Sequence, residues 1–430
     1  MKNFVSIQEA MDAGKGKFNI RGWVYRERKG KNNIFIILRD STNIIQCVVK
    51  KEKVNKDVWE KAEKVTIESS LEISGNIKKD KRATAGYEIE VEELNIVNLA
   101  QPFPITKDYS PEFLLEKRHL WLRSRKLTAV MKVKETILDA SREFFKINGW
   151  HEVTPPIITS TACEGGSTLF QLKYFNDIAY LSQSAQLYLE ALIFSLEKVW
   201  SLTPSFRAEK SKTSRHLAEY WHLEGEAAWL DFEGLLKFME GLISHICQRV
   251  AEKNEKELKF LGRDIETLKK IKPPFPRITY DEALKILEKD GIKIKWGKDL
   301  RTIEEDTLMK HYEKPLIVTK YPKEVKAFYM KEDPNNPKVV LCCDIIAPEG
   351  YGEIIGSSER ETDINKLIKR LKESGEDIKN YEWYLDLRRY GSVPHSGFGM
   401  GVERVVSWIC KLDNIKDAIP FPRTMLRKYP

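Results

Sequence analysis

Apolar and polar residues alternate in short runs between residues 18 and 98. The runs are NIRGWVYRE, IFIILRD, IIQCVVKK, SLEISGNIKK and YEIEVEELNIVN, and the clusters GKNN and STN separate the first three. Alternation with a period of two is typical of β-strands, because successive side chains point to opposite faces. The stretch DVWEKAEKV reads as a helix and lies between the third and fourth runs. The pattern therefore predicts five strands, with one helix after the third.

That order of strands and helix is the order of an OB-fold, a small closed barrel. Another small β barrel would satisfy the same pattern, so the alternation alone leaves that alternative open. We predict an OB-fold domain over residues 1–98. A linker is predicted over residues 99–123, because LAQPFPITKDYSPEFLL carries three prolines and little periodicity.

From residue 124 the hydrophobic period lengthens. The segment RSRKLTAVMKVKETILDASREFFKING spaces its apolar residues as an amphipathic helix does, and Gly149 lies just past its end. Farther along, helices mix with hairpin-like strands such as YWHLEGEAAW, VKAFYMKED, VVLCCDIIAP and YGEIIGSSE. This mixture predicts an α+β domain over residues 124–430, built as an antiparallel sheet flanked by helices. Residues 268–330 are predicted as an α+β insertion within that domain.

The composition of the chain excludes several classes of protein. Of 430 residues, 42% are hydrophobic and 32% charged, which is enough to bury a core in each predicted domain. The formal net charge of +8 permits a polyanionic partner without requiring one. We find neither a secretory signal at the start nor an apolar stretch near the roughly 18 residues of a membrane span. The six cysteines form no C-x-x-C pair, so we expect no zinc site or disulfide framework and a cytoplasmic location.

Three segments carry the candidate chemistry. They are the long helix followed by a strand ending at Pro156, the segment FRAEKSKTSRHLAEYWHLEGE at 206–226, and GFGMGVERVVSW at 397–408. In this order and at these separations they resemble the three signature motifs of the class II aminoacyl-tRNA synthetases. The resemblance implies that ATP binds on an antiparallel sheet, and the sequence indeed lacks the phosphate loop G-x-x-x-x-G-K-[ST].

Other features narrow the resemblance. An N-terminal OB-fold is typical of the subgroup for Asp, Asn and Lys. The stretches QSAQLYLE, LTPSFRAEKSKTSRHLAEYWHLE and APEGYGEIIGSSERE resemble asparaginyl-tRNA synthetases of the archaeal and eukaryotic type. The resemblance covers nearly the whole chain. It implies ATP-dependent ligation of L-asparagine to tRNA(Asn) through an asparaginyl-adenylate.

Activation joins the substrate carboxylate to the α-phosphate of ATP, so cationic groups must offset two negative charges. The resemblance implies that Arg207 is the catalytic residue that bridges them. A lone arginine is more often a surface ion pair, but the F-R-x-E context and the downstream Arg404 favour the site. The implied ATP-binding residues are Arg207, Glu209 at the adenine amino group, Arg215 and His216 at the terminal phosphates, Tyr220 and Arg404 on the two adenine faces, and Glu353. Tyr220 departs from the phenylalanine usual in the family but keeps the ring.

The resemblance also implies a metal site. Asp344 and Glu353 resemble the carboxylates that hold Mg²⁺ against the phosphates, and hard oxygen ligands suit that ion. Without the resemblance, two acids at strand ends that face water would be the simpler interpretation.

The implied amino-acid pocket decides the substrate. Its residues are Glu164 at the substrate ammonium, Ser182, Gln186, Leu189, Glu224, and Arg360 at the substrate side chain. Leu189 stands where aspartyl enzymes carry a lysine, and Glu224 stands where they carry a shorter aspartate. An aspartate carboxylate would face Glu224 as a like charge, at a cost of roughly 3 kcal/mol or more, whereas an amide would not. Taken alone, Leu189 would also suit a simple helix core.

The predicted barrel is the candidate tRNA-reading surface. Arg28, Phe35 and Gln46 match the family's anticodon-contacting positions, and an exposed ring would stack on an unpaired base. Phe35 would alternatively lie in the barrel core, since IFIIL is apolar at every position. The first motif usually forms the dimer interface in this class, so we expect a homodimer.

Three other functions compete with asparagine ligation. The first is an aspartyl-tRNA synthetase, possibly one that charges two tRNAs, against which Leu189 and Glu224 argue. The second is an asparagine synthetase of the same fold, against which residues 1–98 argue because such enzymes lack the anticodon module. The third is an inactive nucleic-acid-binding regulator, against which the intact set Arg207, Glu209, Arg404 and Asp344 argues.

Overall fold

The computed structural model describes residues 3–106, 109–160, 163, 169–210 and 213–430. The chain forms two compact units, Met1–Lys117 and Arg118–Pro430. The division falls inside the segment 99–123 that is predicted as a linker. Among the described residues, no helix is both long enough and apolar enough to cross a membrane.

The first unit is a closed barrel with the strand order β1-β2-β3-β5-β4. Its elements are α1 (Ile7–Ala13), β1 (Gly16–Lys29), β2 (Asn33–Arg39), β3 (Ile44–Lys50), α2 (Lys56–Lys64), β4 (Ser70–Lys79), β5 (Tyr87–Asn98) and α3 (Pro111–Glu116). The five predicted strands and the helix after the third are all present, so the OB-fold prediction is confirmed.

Helix α1 has no counterpart among the predicted elements. Ile7, Ala10 and Met11 are buried in the barrel core, and Ser6 caps the helix together with Glu9. Three apolar positions in seven residues are too few for a helical period to stand out from the sequence.

The second unit is built on a mixed sheet. Its elements are α4 (Arg118–Trp121), α5 (Arg125–Ile147), β6 (His151–Glu152), β7 (Ile158–Thr159), β8 (Gln171–Tyr174), β9 (Asp177–Leu181), α6 (Gln186–Leu196), β10 (Lys198–Phe206), β11 (Glu219–Ala228), α7 (Phe232–Lys253), α8 (Glu255–Phe260), α9 (Ile265–Lys269), β12 (Arg277–Thr279), α10 (Tyr280–Lys289), α11 (Thr302–Leu308), β13 (Leu316–Thr319), β14 (Glu332–Asp333), β15 (Asn336–Val340), β16 (Cys342–Ala347), β17 (Gly352–Glu359), α12 (Ile364–Glu373), α13 (Glu382–Arg389), β18 (His395–Gly401) and α14 (Val402–Ile409).

Within the described residues the main sheet has the order β12-β13-β16-β17-β18-β11-β10-β6. Neighbouring strands are antiparallel from β13 to β10, as predicted, and the two outermost pairs are parallel. Apolar residues of α5, α7 and α14 pack with the sheet in one large core. The α+β prediction is therefore confirmed, and α5, α7 and α14 pack against one face of the sheet.

Residues 268–330 supply part of that sheet. Strands β12 and β13 form its edge, and α10 and α11 pack over a core of their own around Tyr280, Leu308 and Tyr321. The strand predicted over 325–333 is confined to Glu332–Asp333. The Arg370 guanidinium of α12 donates to the carbonyls of Lys323, Lys326 and Met330. Because these carbonyls are bound to a side chain, they do not pair with a neighbouring strand.

Candidate active site

Strands β10 and β11 place the polar residues of the second motif on one face of the sheet. Tyr220, His222 and Glu224 alternate along β11 and line a common cavity, whereas Leu223 and Ala227 point into the core beneath. This is the two-residue period of a strand, with one face buried in the core and the other in a binding site. The register pairs Tyr220 with Ser205 and Glu224 with Ser201.

Glycines of β18 leave the space that these side chains occupy. A Cβ on Gly397 would come within 1.9 Å of Glu226 Oε1, and a Cβ on Gly399 within 2.5 Å of His222 Nε2. Phe398 and Met400, which alternate with these glycines along β18, are buried in the core. The Gly-rich run of the third motif is therefore a requirement of close packing beside β11.

A cavity of about 250 Å³ lies over these strands. The sequence-predicted residues that line it are Gln186, Arg207, Arg215, His216, Tyr220, Glu224, Asp344, Glu353, Arg360 and Arg404. Residues that sequence reasoning missed also line it, among them Ser184, His222, Lys326 and Glu403. The structure thus brings the second and third motifs together with β16 and β17.

Arg207 follows directly after β10, and its backbone N–H donates to the Ala218 carbonyl at 2.9 Å. Its guanidinium carbon lies 5.8 Å from the centre of the Tyr220 ring, and its Nη1 lies 3.9 Å from Glu209 Oε1. His216 Nε2 lies 3.9 Å from the other Glu209 oxygen. Burial and the nearby Arg404 lower the pKa of His216 below its ordinary value, so the imidazole is neutral at pH 7.

Glu403 fixes the helix that carries Arg404. Its carboxylate accepts from Lys134 Nζ of α5 at 2.5 Å and from the Trp221 backbone N–H of β11 at 2.9 Å. All three motifs therefore meet at one buried carboxylate. Arg404 itself donates from Nη1 to the Glu353 carbonyl at 2.6 Å and lies 3.4 Å from Glu353 Oε2.

Arg215 is held by α11 in this structure. Its Nη2 donates to Asp306 Oδ1 at 2.7 Å and to the Gly350 carbonyl, and its Nη1 lies 3.6 Å from Glu305 Oε2. Burial and the neighbouring Glu353 carboxylate raise the pKa of Glu305 to about 7. The sequence contained no motif that would have brought Glu305 or Asp306 to this site, because α11 lies about ninety residues from Arg215 along the chain.

The opposite end of the cavity surrounds Glu224, which is only 3% exposed. Its carboxylate accepts from the Ser184 hydroxyl and, at 2.7 Å, from the Ala185 backbone N–H. These two donors come from the turn at the start of α6, and they fix the carboxylate while leaving it further acceptor capacity.

Arg360 lies beside Glu224 and is itself buried. It donates from Nε to Glu226 Oε2 at 3.2 Å, from Nη2 to Glu226 Oε1, and from Nη1 to Ser358 Oγ at 2.6 Å. Behind it the buried carboxylate of Glu190 accepts from Arg388, His395, Tyr384 and Gln186. Burial opposes ionisation of Glu190, but Arg388 and His395 hold its pKa below the ordinary value. This network orients Arg360, and sequence reasoning missed its Glu190, Arg388 and Glu226.

Three predicted pocket residues lie elsewhere or outside the described residues. The hydroxyl of Ser182 donates to the Ser184 carbonyl at 2.8 Å, within the turn. Leu189 is fully buried in an apolar cluster with Ala185, Ile193 and Val199, and is not among the described residues that line the cavity. Glu164 lies outside the described residues. Leu189 thus takes up the position of helix core that was its alternative interpretation.

The two predicted metal acids face each other across Gly356. A Cβ on that glycine would come within 2.9 Å of Glu353 Oε1 and 3.9 Å of Asp344 Oδ1. Burial raises the pKa of Asp344 to about 6, although the Lys326 ammonium opposes this. Burial acts the same way on Glu353, but Arg404 and Lys326 hold its pKa below the ordinary value.

These residues fit Mg²⁺, which takes few protein carboxylates and completes its coordination with phosphate and water. Among the described residues, no cluster of three or more His, Cys, Asp or Glu could hold a metal ion.

In the barrel, Phe35 lies on the outer face of β2. Ile34, Ile36 and Leu38 point inward, whereas Phe35 is half-buried beneath the Arg28 guanidinium, 4.7 Å from the ring centre. Gln46 on β3 donates to Glu88 Oε2 at 3.1 Å. Phe35 is therefore outside the barrel core, where a base could reach its ring.

The chain matches two family models. The model described as tRNA synthetases class II (D, K and N) matches residues 110–425, and the model described as OB-fold nucleic acid binding domain matches residues 18–97. Among curated relatives, the Asparagine--tRNA ligase of Pyrococcus abyssi is 56% identical over 427 residues, which cover 99% of this chain and 98% of the relative.

Solved structures show the same relationship. An asparaginyl-tRNA synthetase from Pyrococcus horikoshii, complexed with asparaginyl-adenylate, aligns over 100% of both chains with a TM-score of 0.96 and 54% identity. An aspartyl-tRNA synthetase from Entamoeba histolytica aligns over 100% of this chain and 93% of its own, with a TM-score of 0.86 and 27% identity. The chain is thus about twice as similar in sequence to the first as to the second.

Proposed function

The chain belongs to the class II tRNA synthetases for aspartate, lysine and asparagine, and from this premise we propose that it is an asparagine–tRNA ligase. It uses ATP to form asparaginyl-adenylate and transfers the asparaginyl group to the terminal ribose of tRNA(Asn). The observation that carries the proposal is the cavity itself. Arg207 and Arg404 line one end of it, and a buried glutamate, Glu224, lines the other.

We propose that the cationic end of the cavity binds ATP. Arg207 bridges the amino-acid carboxylate and the α-phosphate, and it stabilises the charge that develops as pyrophosphate leaves. Tyr220 and Arg404 hold the adenine ring between them, and Glu209 accepts from its amino group. Arg215 and His216 reach the terminal phosphates. Because the two substrates are held in one orientation, positioning supplies a further part of the rate.

Asp344 and Glu353 would hold Mg²⁺ beside the phosphates. When bound, the ion neutralises phosphate charge and so lowers the repulsion that the carboxylate nucleophile meets. The support for this assignment is the pair of carboxylate oxygens that converge over Gly356.

The other end of the cavity binds asparagine. Arg360, oriented by Glu226 and Ser358, donates to the side-chain carbonyl of the substrate, and Glu224 accepts from its amide N–H₂. Gln186 and Glu164 bind the substrate's α-amino end. An aspartate side chain would present a second carboxylate to Glu224 in a site with little water, which disfavours it.

ATP–pyrophosphate exchange tests the proposed function. We expect exchange that depends on asparagine, and aminoacylation of tRNA(Asn) by the same protein. Exchange that depends on aspartate would replace the proposal with an aspartyl-tRNA synthetase. Ammonia-dependent formation of asparagine without tRNA would point to an asparagine synthetase, and tRNA binding without ATP turnover to an inactive regulator.

We further propose that the protein acts as a cytoplasmic homodimer. Among the described residues no cysteine forms a disulfide, and the cysteines are buried, which suits a reducing compartment. A twofold dimer is the commonest assembly among soluble oligomeric proteins in general, and we expect sedimentation of the purified protein to give the mass of a dimer.

The barrel reads the anticodon in this proposal, and Phe35 is its stacking residue. We expect Phe35→Ala to weaken the affinity for a tRNA(Asn) transcript about tenfold, because one base–ring stack is lost. Phe35→Leu keeps an apolar side chain and is expected to lose nearly as much. Filter binding at fixed salt measures the effect, since the phosphate contacts depend on salt.

Val97 on β5 provides the control, because it is 61% exposed and carries no ring. Val97→Ala should leave the tRNA affinity unchanged. Equal affinity of Phe35→Ala and the wild type would remove Phe35 from the anticodon site, and asparagine-dependent ATP–pyrophosphate exchange should be the same in all of these variants.

A further inference from the structure

Lys326 is a buried lysine in the active-site cavity that no motif predicted. Its ammonium donates to Asp344 Oδ2 at 2.8 Å, lies 3.7 Å from Asp299 Oδ1 and stands 4.0 Å from the centre of the Tyr321 ring. Only 12% of the side chain is exposed. A charge at this depth is retained because it is paired, and here its partner is one of the two candidate metal ligands.

The two candidate metal ligands are arranged alike. Asp344 Oδ2 accepts a hydrogen bond from the Lys326 ammonium, and Glu353 Oε2 lies 3.4 Å from Arg404 Nη1. The remaining oxygens, Asp344 Oδ1 and Glu353 Oε1, converge over Gly356 and accept no hydrogen bond from the residues that the structure describes. Each carboxylate therefore already has one cationic partner of the protein and one oxygen directed at the cavity.

The position of Lys326 is fixed by its surroundings. The Arg370 guanidinium binds the Lys326 carbonyl and the Lys323 carbonyl, each at 2.9 Å, and so sets the backbone on which the lysine stands. The Tyr321 ring is almost fully buried beneath the ammonium. The backbone contacts and the pairing with Asp344 together hold the ammonium beside this carboxylate.

We propose that Lys326 is a positioning residue that keeps the Asp344–Glu353 pair from binding a divalent cation until ATP is present. The inference rests on the proposed function, since it concerns the metal of that reaction. Lys326 and Arg404 each pair with one of the two carboxylates, so a free divalent ion must compete with a cation of the protein at both. The phosphates of ATP add negative charge and further ligands, and the ion then binds with the nucleotide.

Titration with Mn²⁺ in the absence of nucleotide tests this inference without measuring activity. The free ion is followed by its electron paramagnetic resonance signal. We expect the wild type to bind Mn²⁺ with a dissociation constant of about 1 mM or weaker. Lys326→Met removes the ammonium and should tighten Mn²⁺ binding about tenfold or more, because the pair regains one net negative charge.

Two variants serve as controls. Lys326→Arg keeps the cation and should bind Mn²⁺ as weakly as the wild type. Lys323→Met removes a lysine of the same segment that pairs with Glu332 at 3.0 Å, and it should also leave Mn²⁺ binding unchanged. Unchanged Mn²⁺ affinity in Lys326→Met overturns the inference, whatever happens to its ATP affinity, because a lysine that contacts only phosphate would give that result.

If Lys326→Met does not fold, the wild type decides the matter. Without nucleotide, a dissociation constant for Mn²⁺ well below about 1 mM would overturn the inference. A dissociation constant of about 1 mM or weaker would support it. Failure of the proposed function is distinguishable, since it appears as absent asparagine-dependent ATP–pyrophosphate exchange in the wild type.

Discussion

We expect the replacement of Arg207 with alanine to lower the rate of asparagine-dependent ATP–pyrophosphate exchange by about a thousandfold. The guanidinium is the cation that would lie between the two negatively charged reactants, and its effect is greatest where charge develops in the transition state. Its backbone N–H is bound to the Ala218 carbonyl, which fixes the point from which the side chain starts. We therefore expect the loss mainly in kcat, with a smaller change in the KM for ATP, which Arg404 and Tyr220 continue to bind.

Arg207→Lys separates charge from geometry. It keeps the positive charge but loses the planar fork that contacts two oxygens at once, so it should recover only part of the rate. Arg389→Ala is the matched control, because Arg389 lies on α13, pairs with Glu382 and Asp386 of the same helix and does not line the cavity. If Arg207→Ala retained a rate within about tenfold of the wild type, Arg207 would not be the bridging residue.

We expect Glu224→Gln to reduce the preference for asparagine over aspartate by about a hundredfold, measured as the ratio of kcat/KM values in pyrophosphate exchange. The substitution keeps the shape of the side chain and removes its charge. An aspartate substrate then meets an amide instead of a carboxylate, which removes a repulsion of roughly 3 kcal/mol. The Ala185 N–H that now donates at 2.7 Å can still bind the amide oxygen, so the side chain keeps its place.

Glu219→Gln is the control for this measurement. Glu219 begins the same strand but points to the other face, and it does not line the cavity. Its substitution should leave the asparagine-to-aspartate ratio unchanged. An unaltered ratio in Glu224→Gln would mean that another part of the pocket excludes aspartate, and Leu189 is a poor candidate because it packs in the helix core.

The sequence predicted those parts of the fold that depend on local periodicity. The alternation in β1–β5 and the long period of α5 identified both units, because burial of one face of a strand or helix repeats along the chain. The prediction from periodicity was wrong where a side chain binds the backbone carbonyls that a strand would otherwise pair, as Arg370 does for residues 323–330. It also failed for α1, which is too short to repeat.

The predicted site residues show the same division. Most of the motif residues share one cavity, because the motifs stand on neighbouring strands whose alternate positions share a face. Phe35 and Leu189 illustrate what the pattern leaves open. Both stand in apolar runs, and only packing decided that the ring of Phe35 lies outside the barrel and that Leu189 lies in the core.

The sequence by itself determined the OB-fold barrel, the α+β class of the second unit, the family and the residues of its motifs, since these depend on short-range spacing. Only the tertiary structure decided which charges meet. Glu190 and Arg388 lie 198 residues apart, and Lys326 and Asp344 belong to a turn and a strand that no shared period links. Two charged side chains interact when they lie close together in space. The packing of whole helices and strands sets those distances, and the spacing of residues along the chain does not.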